Sequence, residues 1–410
     1  MMRVVPPVIC IDDRRVAWGR GTGAASYGKA LRQSIEQAGF TAESLTDAPL
    51  GPSEPPGRLW RWTSAAAPWP VATTTPASGA RIATDVFRRA QVHFDIYGSY
   101  LRIRGPARPA LMHWTYPLPL HFSGIPNVYS VLDLIPLLQP DLTPVAQARA
   151  SRLLRRLRHE ASHLVTISNT SRREIIDTLG WPEHLVTNTS LALDVPAPDP
   201  MHTAATCAAA GLHPGGYFLH AGTIERRKNI RRLVEAYRAS NSTRALVLAG
   251  PAGWGATEEL AGATGLLVSS GPGAIDVTGP RIIRIDWMAR PDLLGLVHGA
   301  AAVLSPSLAE GFGLPAIEAM ALDTPALTSR GGAPEEVAGG AALLVDPLDV
   351  ADIAAGIGAL DRDADLRERL VAAGRLRVRA FTPEAYAARL SVLYCAILAG
   401  TAAISWTKGR

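Results

Sequence analysis

Residues 302–318 contain the segments Ala302-Val303-Leu304-Ser305 and Glu310-Gly311-Phe312-Gly313-Leu314-Pro315-Ala316-Ile317-Glu318. They read as a buried strand, a glycine loop and the start of a helix. Gly311, Gly313 and Pro315 prevent one continuous helix from running through both glutamates. Glu310 is therefore expected on the loop, with Pro315 at the first helical position and Glu318 in the first turn. The amides of Phe312, Gly313 and Leu314 then lack intrahelical partners and face outward at the positive end of the helix dipole. Such a loop cradles phosphate oxygens, and a carboxylate on either side suits sugar hydroxyls.

The same strand–loop–helix order recurs outward from this stretch. Gly222-Thr223-Ile224-Glu225-Arg226-Arg227-Lys228-Asn229 follows the strand Tyr217–Ala221 and precedes a helix carrying Ile230, Leu233, Val234 and Tyr237. Three adjacent cations at a helix N-terminus oppose its dipole and repel one another. That costs stability unless an anion is bound, which points to a diphosphate. Further strands are expected at 245–249, 282–285, 326–328 and 342–345. Near the other end, Val8–Ile11 leads through Gly19-Arg20-Gly21-Thr22-Gly23 into a helix from Ser26, with Tyr27, Leu31 and Ile35 on one face and Gly39 as its stop. Asn127 to Leu134 reads as another strand, and Thr143-Pro144 opens a helix running through His163. Asp194-Val195-Pro196-Ala197-Pro198-Asp199-Pro200 is the best linker in the chain. Alternation on both sides of it predicts an α/β protein of two Rossmann-like domains with parallel sheets, and ligands at the carboxyl ends of the strands, in the cleft.

The 410 residues suffice for two or three domains; 47% apolar and 19% charged residues exclude a disordered chain. Cys10, Cys207 and Cys395 are far apart and form no CxxC, so neither a disulfide framework nor a cysteine zinc site is expected. The ten histidines show no HxxxH or HxH spacing, so no protein-bound metal is predicted. No nucleic-acid module is recognisable. The net charge of +5 comes almost wholly from arginine and suits anionic partners. Arg149, Arg152 and Arg156 share one helix face, either solvated or docked on an anionic bilayer. Residues 51–80, with Trp60-Arg61-Trp62 and Trp69-Pro70, read as a long surface excursion. Met1 to Arg14 lacks the apolar run of an export signal, and Leu390 to Thr407 reads as a packed terminal helix rather than a span.

Together these motifs resemble the retaining glycosyltransferases of glycosyltransferase family 4, which have the GT-B fold. The likeness rests on Gly21-Thr22-Gly23 with Tyr27, Asp133-Leu134-Ile135-Pro136, Ile167 to Ser171, Gly222 to Asn229, Glu310 to Glu318, Gly331-Gly332 with Pro334 to Ala338, and Asp346-Pro347. It implies an acceptor-side domain over 1–196, joined by a helix at 385–410, and a nucleotide-sugar-binding domain over 197–384. Arg227 and Lys228 would neutralise the donor diphosphate. Glu310 would contact the hexose, Glu318 the ribose, and the Phe312, Gly313 and Leu314 amides the phosphates. Gly21 and Gly23, with Gly222 and Thr223, would let both domains approach the donor, and Asp133 would join the catalytic group. No enzyme nucleophile and no cofactor are implied beyond the nucleoside-diphosphate sugar itself. The implied donor is GDP-mannose, the acceptor a saccharide carried on lipid, and the location the cytoplasm, on the inner membrane face. Relatives read His-Asp-Leu where this chain has Leu132-Asp133-Leu134, so His113, ending the preceding strand, is the expected substitute. Asp286 stands where relatives have glycine. A sugar-nucleotide epimerase and a non-catalytic nucleotide-sugar-binding partner protein are the rival readings.

Overall fold

The computed structural model describes residues 6–14, 23–48, 69–75, 80–263, 266–269 and 282–400. Gly21, most of the 51–80 excursion with Trp60-Arg61-Trp62, and the tail beyond Gly400 lie outside the described residues. Among the described residues, ten strands belong to the N-terminal half: β1 Val8–Asp12, β2 Thr41–Ala48, β3 Val71–Ala72, β4 Arg81–Thr84, β5 Leu101–Arg104, β6 Leu111–Trp114, β7 Leu120–Phe122, β8 Asn127–Ser130, β9 His163–Thr166 and β10 Val186–Asn188. Seven form a sheet in the order β10-β9-β8-β6-β1-β2-β4, and β3-β5-β7 form a small one. The C-terminal half holds β11 Tyr217–Ala221, β12 Ala245–Ala249, β13 Leu266–Ser269, β14 Ile282–Ile285, β15 Ala302–Ser305, β16 Ala326–Ser329 and β17 Leu343–Val345, in the order β13-β14-β12-β11-β15-β16-β17.

Every pairing within the two large sheets is parallel. Strands such as β11, β12 and β15 are buried along their whole length because helices cover both faces, as parallel sheets require. The α/β plan of two Rossmann-like sheets expected from the alternation is therefore present. Eight strands, β2, β3, β4, β5, β7, β9, β10 and β13, were not anticipated. β9 (His163–Thr166) begins at the last residue of the expected helix, which spans only Gln147–Glu160. Glu160 is buried at the helix end, where Arg102 and Arg156 pair with it. Ala161 then turns extended. At the other end Pro140–Leu142 forms its own short turn, so Thr143-Pro144 precedes the helix instead of opening it. The strand expected to reach Leu134 stops at Ser130, and Ile135–Leu138 is helical.

The helix Pro383–Leu398 starts where Thr382 accepts the Ala385 amide at 3.2 Å. It crosses back onto the first domain. Its Tyr386, Leu390, Leu393 and Tyr394 share one apolar cluster with Tyr27, Leu31, Ile35 and Phe40 around the helix Gly23–Gln37. Among the described residues no helix is long and apolar enough to cross a membrane.

Candidate active site

The order of the C-terminal sheet explains why two distant loops meet. Strand order reverses between β11 and β15, and the residues following these neighbours are Gly222 onward and Pro306 onward. A crevice opens at such a reversal. The loops are sewn together: Leu308 N donates to Arg227 O at 2.7 Å, and Asn229 Nδ2 donates to the carbonyls of Pro306 at 2.9 Å and Pro347 at 2.7 Å. Gly250, at φ 152°, lies so close to the first loop that an added Cβ would sit 2.0 Å from the Gly222 carbonyl oxygen. The Gly222–Thr223 turn is thus seated on the end of β12 by a contact only glycine permits.

Glu310 sits at the centre. One carboxylate oxygen accepts from Lys228 Nζ and, at 3.0 Å, from Ser307 Oγ; the other accepts from Arg227 Nη1 at 3.1 Å. Arg227 also pairs with Glu225 at 2.7 Å. The Lys228 and Glu310 side chains are 7% and 9% exposed. Burial pushes the Glu310 carboxyl up, but the Lys228 and Arg227 charges outweigh it and hold the group at about 2. This corrects the argument from like charges. The cations are not waiting for an outside anion, because Glu310 and Glu225 already balance Arg227 and Lys228, and Arg226 lies over the Trp254 ring at 5.2 Å. They also sit on a short turn of their own, Arg226–Lys228, before the helix that begins at Ile230.

On the other side of Glu310, Gly313 adopts φ 101° and starts the helix Leu314–Ala321. Among the described residues no group accepts from the amides of Phe312, Gly313 or Leu314. The helix starts one residue before Pro315, which leaves Glu318 beyond the first turn. Glu318 is held there by a bidentate pair with Arg290, at 2.6 and 3.1 Å. Phe312 is buried against Phe381, with ring centroids 5.5 Å apart.

The first domain closes over this arrangement. A Cβ added to Gly311 would lie 2.9 Å from the Leu132 carbonyl oxygen and 3.1 Å from Asp133 Cβ, so the glycine lets the two domains touch. Asp133 accepts the Ile135 amide at 3.1 Å, and its charge reaches Arg227. Asp133, Arg227, Lys228 and Glu310 are thus brought together, with Gly222 and Thr223 beside them. Gly23 is the first residue of its helix.

His113 is not among them. It is fully buried, its Nδ1 2.6 Å from Tyr394 Oη and its Nε2 2.8 Å from Ser130 Oγ, which also bonds Tyr27 at 2.7 Å. Nδ1 ties the terminal helix to the first domain and Nε2 is taken by Ser130 of β8, so neither ring nitrogen is left for the cleft. Burial, with His163 nearby, pushes His113 down to about 3. It stays neutral in the fold while the unfolded chain takes up a proton below its ordinary 6.5, so stability falls as pH drops from 6.5 towards 3. His113→Ala should lower the melting temperature by several degrees and leave kcat/KM of the folded enzyme within about threefold. A tenfold loss without destabilisation would restore it to the site.

Several participants escaped the sequence reading. Glu225 lies within a quoted loop and Ser307 just ahead of Glu310, and neither carries a distinguishing signal there. Arg290 stands 28 residues from its partner Glu318.

Residues 215–363 match the family model described as Glycosyl transferases group 1. O-antigen chain mannosyltransferase B of Escherichia coli is 33% identical over 231 residues, 55% of this chain and 58% of its own length. MMP alpha-(1->4)-mannosyltransferase of Mycolicibacterium hassiacum is 43% identical over 117 residues, 27% of this chain and 28% of its own. The chain thus spans under two thirds of each of these relatives. Among solved structures, sucrose-phosphate synthase from Thermosynechococcus elongatus superposes with a TM-score of 0.68 at 18% identity, covering 96% of this chain and all of that one. HepE of Anabaena, solved with UDP and glucose, gives 0.65 at 14% identity, covering 95% of this chain and 100% of that one. The fold is therefore GT-B, two Rossmann-like domains facing across a cleft. Within it, the crevice between β11 and β15 lies inside the segment that matches the Glycosyl transferases group 1 model.

Proposed function

We propose that the chain is a retaining glycosyltransferase that moves a hexose from a nucleoside-diphosphate sugar to a saccharide acceptor. Mannose from GDP-mannose is the first donor to test, because two of the relatives named above are mannosyltransferases. The observation carrying this reading is Glu310 clasped by Lys228 and Arg227 beside the unpartnered amides of Phe312 to Leu314. An arriving diphosphate would take the cations and amides as its donors. Lys228 and Arg227 would pass part of their hydrogen bonding from Glu310 to phosphate oxygens, freeing carboxylate lone pairs for hexose hydroxyls. The leaving nucleoside diphosphate gains charge in the transition state, and fixed cations and amides stabilise it most there. Asp133 completes the site from the acceptor side, and Glu318, released by Arg290, receives the ribose. The reading assigns diphosphate neutralisation to Arg227 and Lys228 and requires no metal.

The acceptor is read as lipid-linked and the enzyme as working at the cytoplasmic face of a membrane. Arg152, Arg155, Arg156 and His159 line an open groove of about 420 Å³ with Gly98. Ile96 and Tyr97, beside it in sequence, are half exposed. Arginines next to exposed apolar side chains suit an anionic interface. One observation favours a second reading, donor binding without turnover: neither Leu132 nor the buried His113 offers an imidazole to the cleft.

The test is binding and slow hydrolysis of GDP-, UDP- and dTDP-sugars by the purified protein, with chelator present. Selective binding with nucleotide release, reduced in Glu310→Ala and Lys228→Ala, is expected. Binding without release, even with saccharide acceptors added, would favour the second reading. Absence of binding to every donor would sink both.

A further inference from the structure

The helix Gly332–Ala338 of the second domain sends one carboxylate across the cleft. Glu336 Oε1 accepts from the Asn169 amide at 2.6 Å, and Oε2 accepts from the Thr170 amide at 2.7 Å and Thr170 Oγ1 at 2.8 Å. Asn169 and Thr170 are the first residues of the helix Asn169–Leu179 in the other domain. Leading amides of a helix have no partner within it, and an acid there also meets the positive end of the dipole. Ser168 Oγ caps the third amide, that of Ser171, at 3.0 Å. The helix has no acidic residue in its own first turn. Its acid comes instead from 167 residues away, on the facing domain.

The same short helix touches the phosphate loop. Pro334 backs Gly313, where an added Cβ would lie 3.5 Å from Pro334 Cα. Arg377 donates to the carbonyls of Glu336 and Val337, both at 2.8 Å, and lies 5.0 Å over the Phe381 ring, which packs on Phe312. One side of the Glu336 helix is thus fixed to the Phe312–Gly313 loop, and the other holds the first domain.

We propose that Glu336 is a positioning residue, an interdomain clasp that holds the cleft closed and couples closure to occupancy of the Phe312–Leu314 loop. Glu336 is only half-buried, so the carboxylate and both amides are rehydrated when the domains part, and the clasp can release and re-form. The deeply buried Lys228–Glu310 pair, within one domain, has no such freedom. The coupling rests on reading that loop as the donor site; the clasp itself does not.

Hydrogen exchange and small-angle scattering on the full chain test it, comparing wild type with Glu336→Ala and Glu336→Gln and using GDP and UDP as probes. In ligand-free Glu336→Ala, the Asn169 and Thr170 amides should exchange about tenfold faster or more. The radius of gyration should rise, while β11 and β15 keep wild-type protection. Glu336→Gln, with one acceptor oxygen left, should fall between. Unchanged exchange at these amides, or an unchanged radius of gyration, in folded Glu336→Ala overturns the clasp. Thr170→Val removes the hydroxyl bond alone and stands in should Glu336→Ala not fold; it should raise exchange less, and no rise overturns the clasp. A nucleotide that binds should slow exchange at Asn169 and Thr170 in wild type but not in Glu336→Ala; equal slowing in both overturns the coupling. Failure of both nucleotides to bind wild type would remove the donor reading and the coupling, with the ligand-free comparison still deciding the clasp.

Discussion

Glu310→Gln is expected to lower turnover by a hundredfold to about a thousandfold while leaving donor affinity within about tenfold. Glutamine keeps the size of the side chain and one acceptor for Lys228 and Ser307, but it removes the charge that two cations are arranged around. The wild-type carboxyl is held at about 2, so it is ionised at every practical assay pH, and the deficit should be flat across neutral and alkaline conditions. The same shift has a thermodynamic counterpart. A carboxyl lowered from 4.5 to about 2 by folding contributes stability that is fully present above 4.5 and lost as pH falls through 2. Melting curves of Glu310→Gln should therefore depend less on pH in that acid window than those of the wild type. Full turnover in the variant would remove Glu310 from the chemistry, whatever its stability did.

Lys228→Met should be damaging in two separable ways. Breaking a buried ion pair strands the partner charge and costs about 3 kcal/mol. Arg227 stays on Glu310 and moderates that figure, so a fall in the melting temperature of the second domain of roughly 5 to 10 °C is expected. Donor binding should weaken as well, since in the proposed function the lysine gives the diphosphate a charge-assisted bond. The double variant Lys228→Met, Glu310→Met separates the effects. Apolar groups in place of a buried pair are often neutral or better for stability, and Arg227 retains Glu225 at 2.7 Å. The double variant should regain most of the lost melting temperature and none of the activity. Calorimetry beside single-turnover kinetics reads both. Stability losses that simply add in the double variant would show that the two side chains do not act as a pair.

The loops that form the site were legible because glycine, proline and charge at fixed spacings dictate local geometry. Gly311, Gly313 and Pro315 alone separate Glu310 from the helix that bears Glu318. The α/β plan was legible because apolar runs alternated with helical periods. What sequence concealed is partnership over distance. Nothing near residues 225–228 announces that Glu310, 82 residues on, neutralises Lys228, or that Arg290 clamps Glu318. His113 misled for the same reason: ending a strand beside the cleft is a local property, whereas burial beneath Tyr394, 281 residues later, is not. Element ends were displaced where tertiary pairing overrode local pattern. β9 claims His163 from the expected helix because β8 and β10 offer the strand hydrogen bonds on both edges.

The return of the Pro383–Leu398 helix to the first domain sets the order in which the protein can be made. Leu31, Ile35 and Phe40 emerge early during synthesis, but the Tyr386, Leu390 and Tyr394 side chains that cover them come some 350 residues later. At ribosomal speeds that is a wait of roughly 20 to 70 s with an oily flank uncovered. The nascent first domain therefore keeps this apolar flank exposed until the Pro383–Leu398 helix arrives. A frameshift or stop anywhere before Thr382 leaves that flank permanently bare and the product prone to aggregation, even with the entire crevice between β11 and β15 already translated.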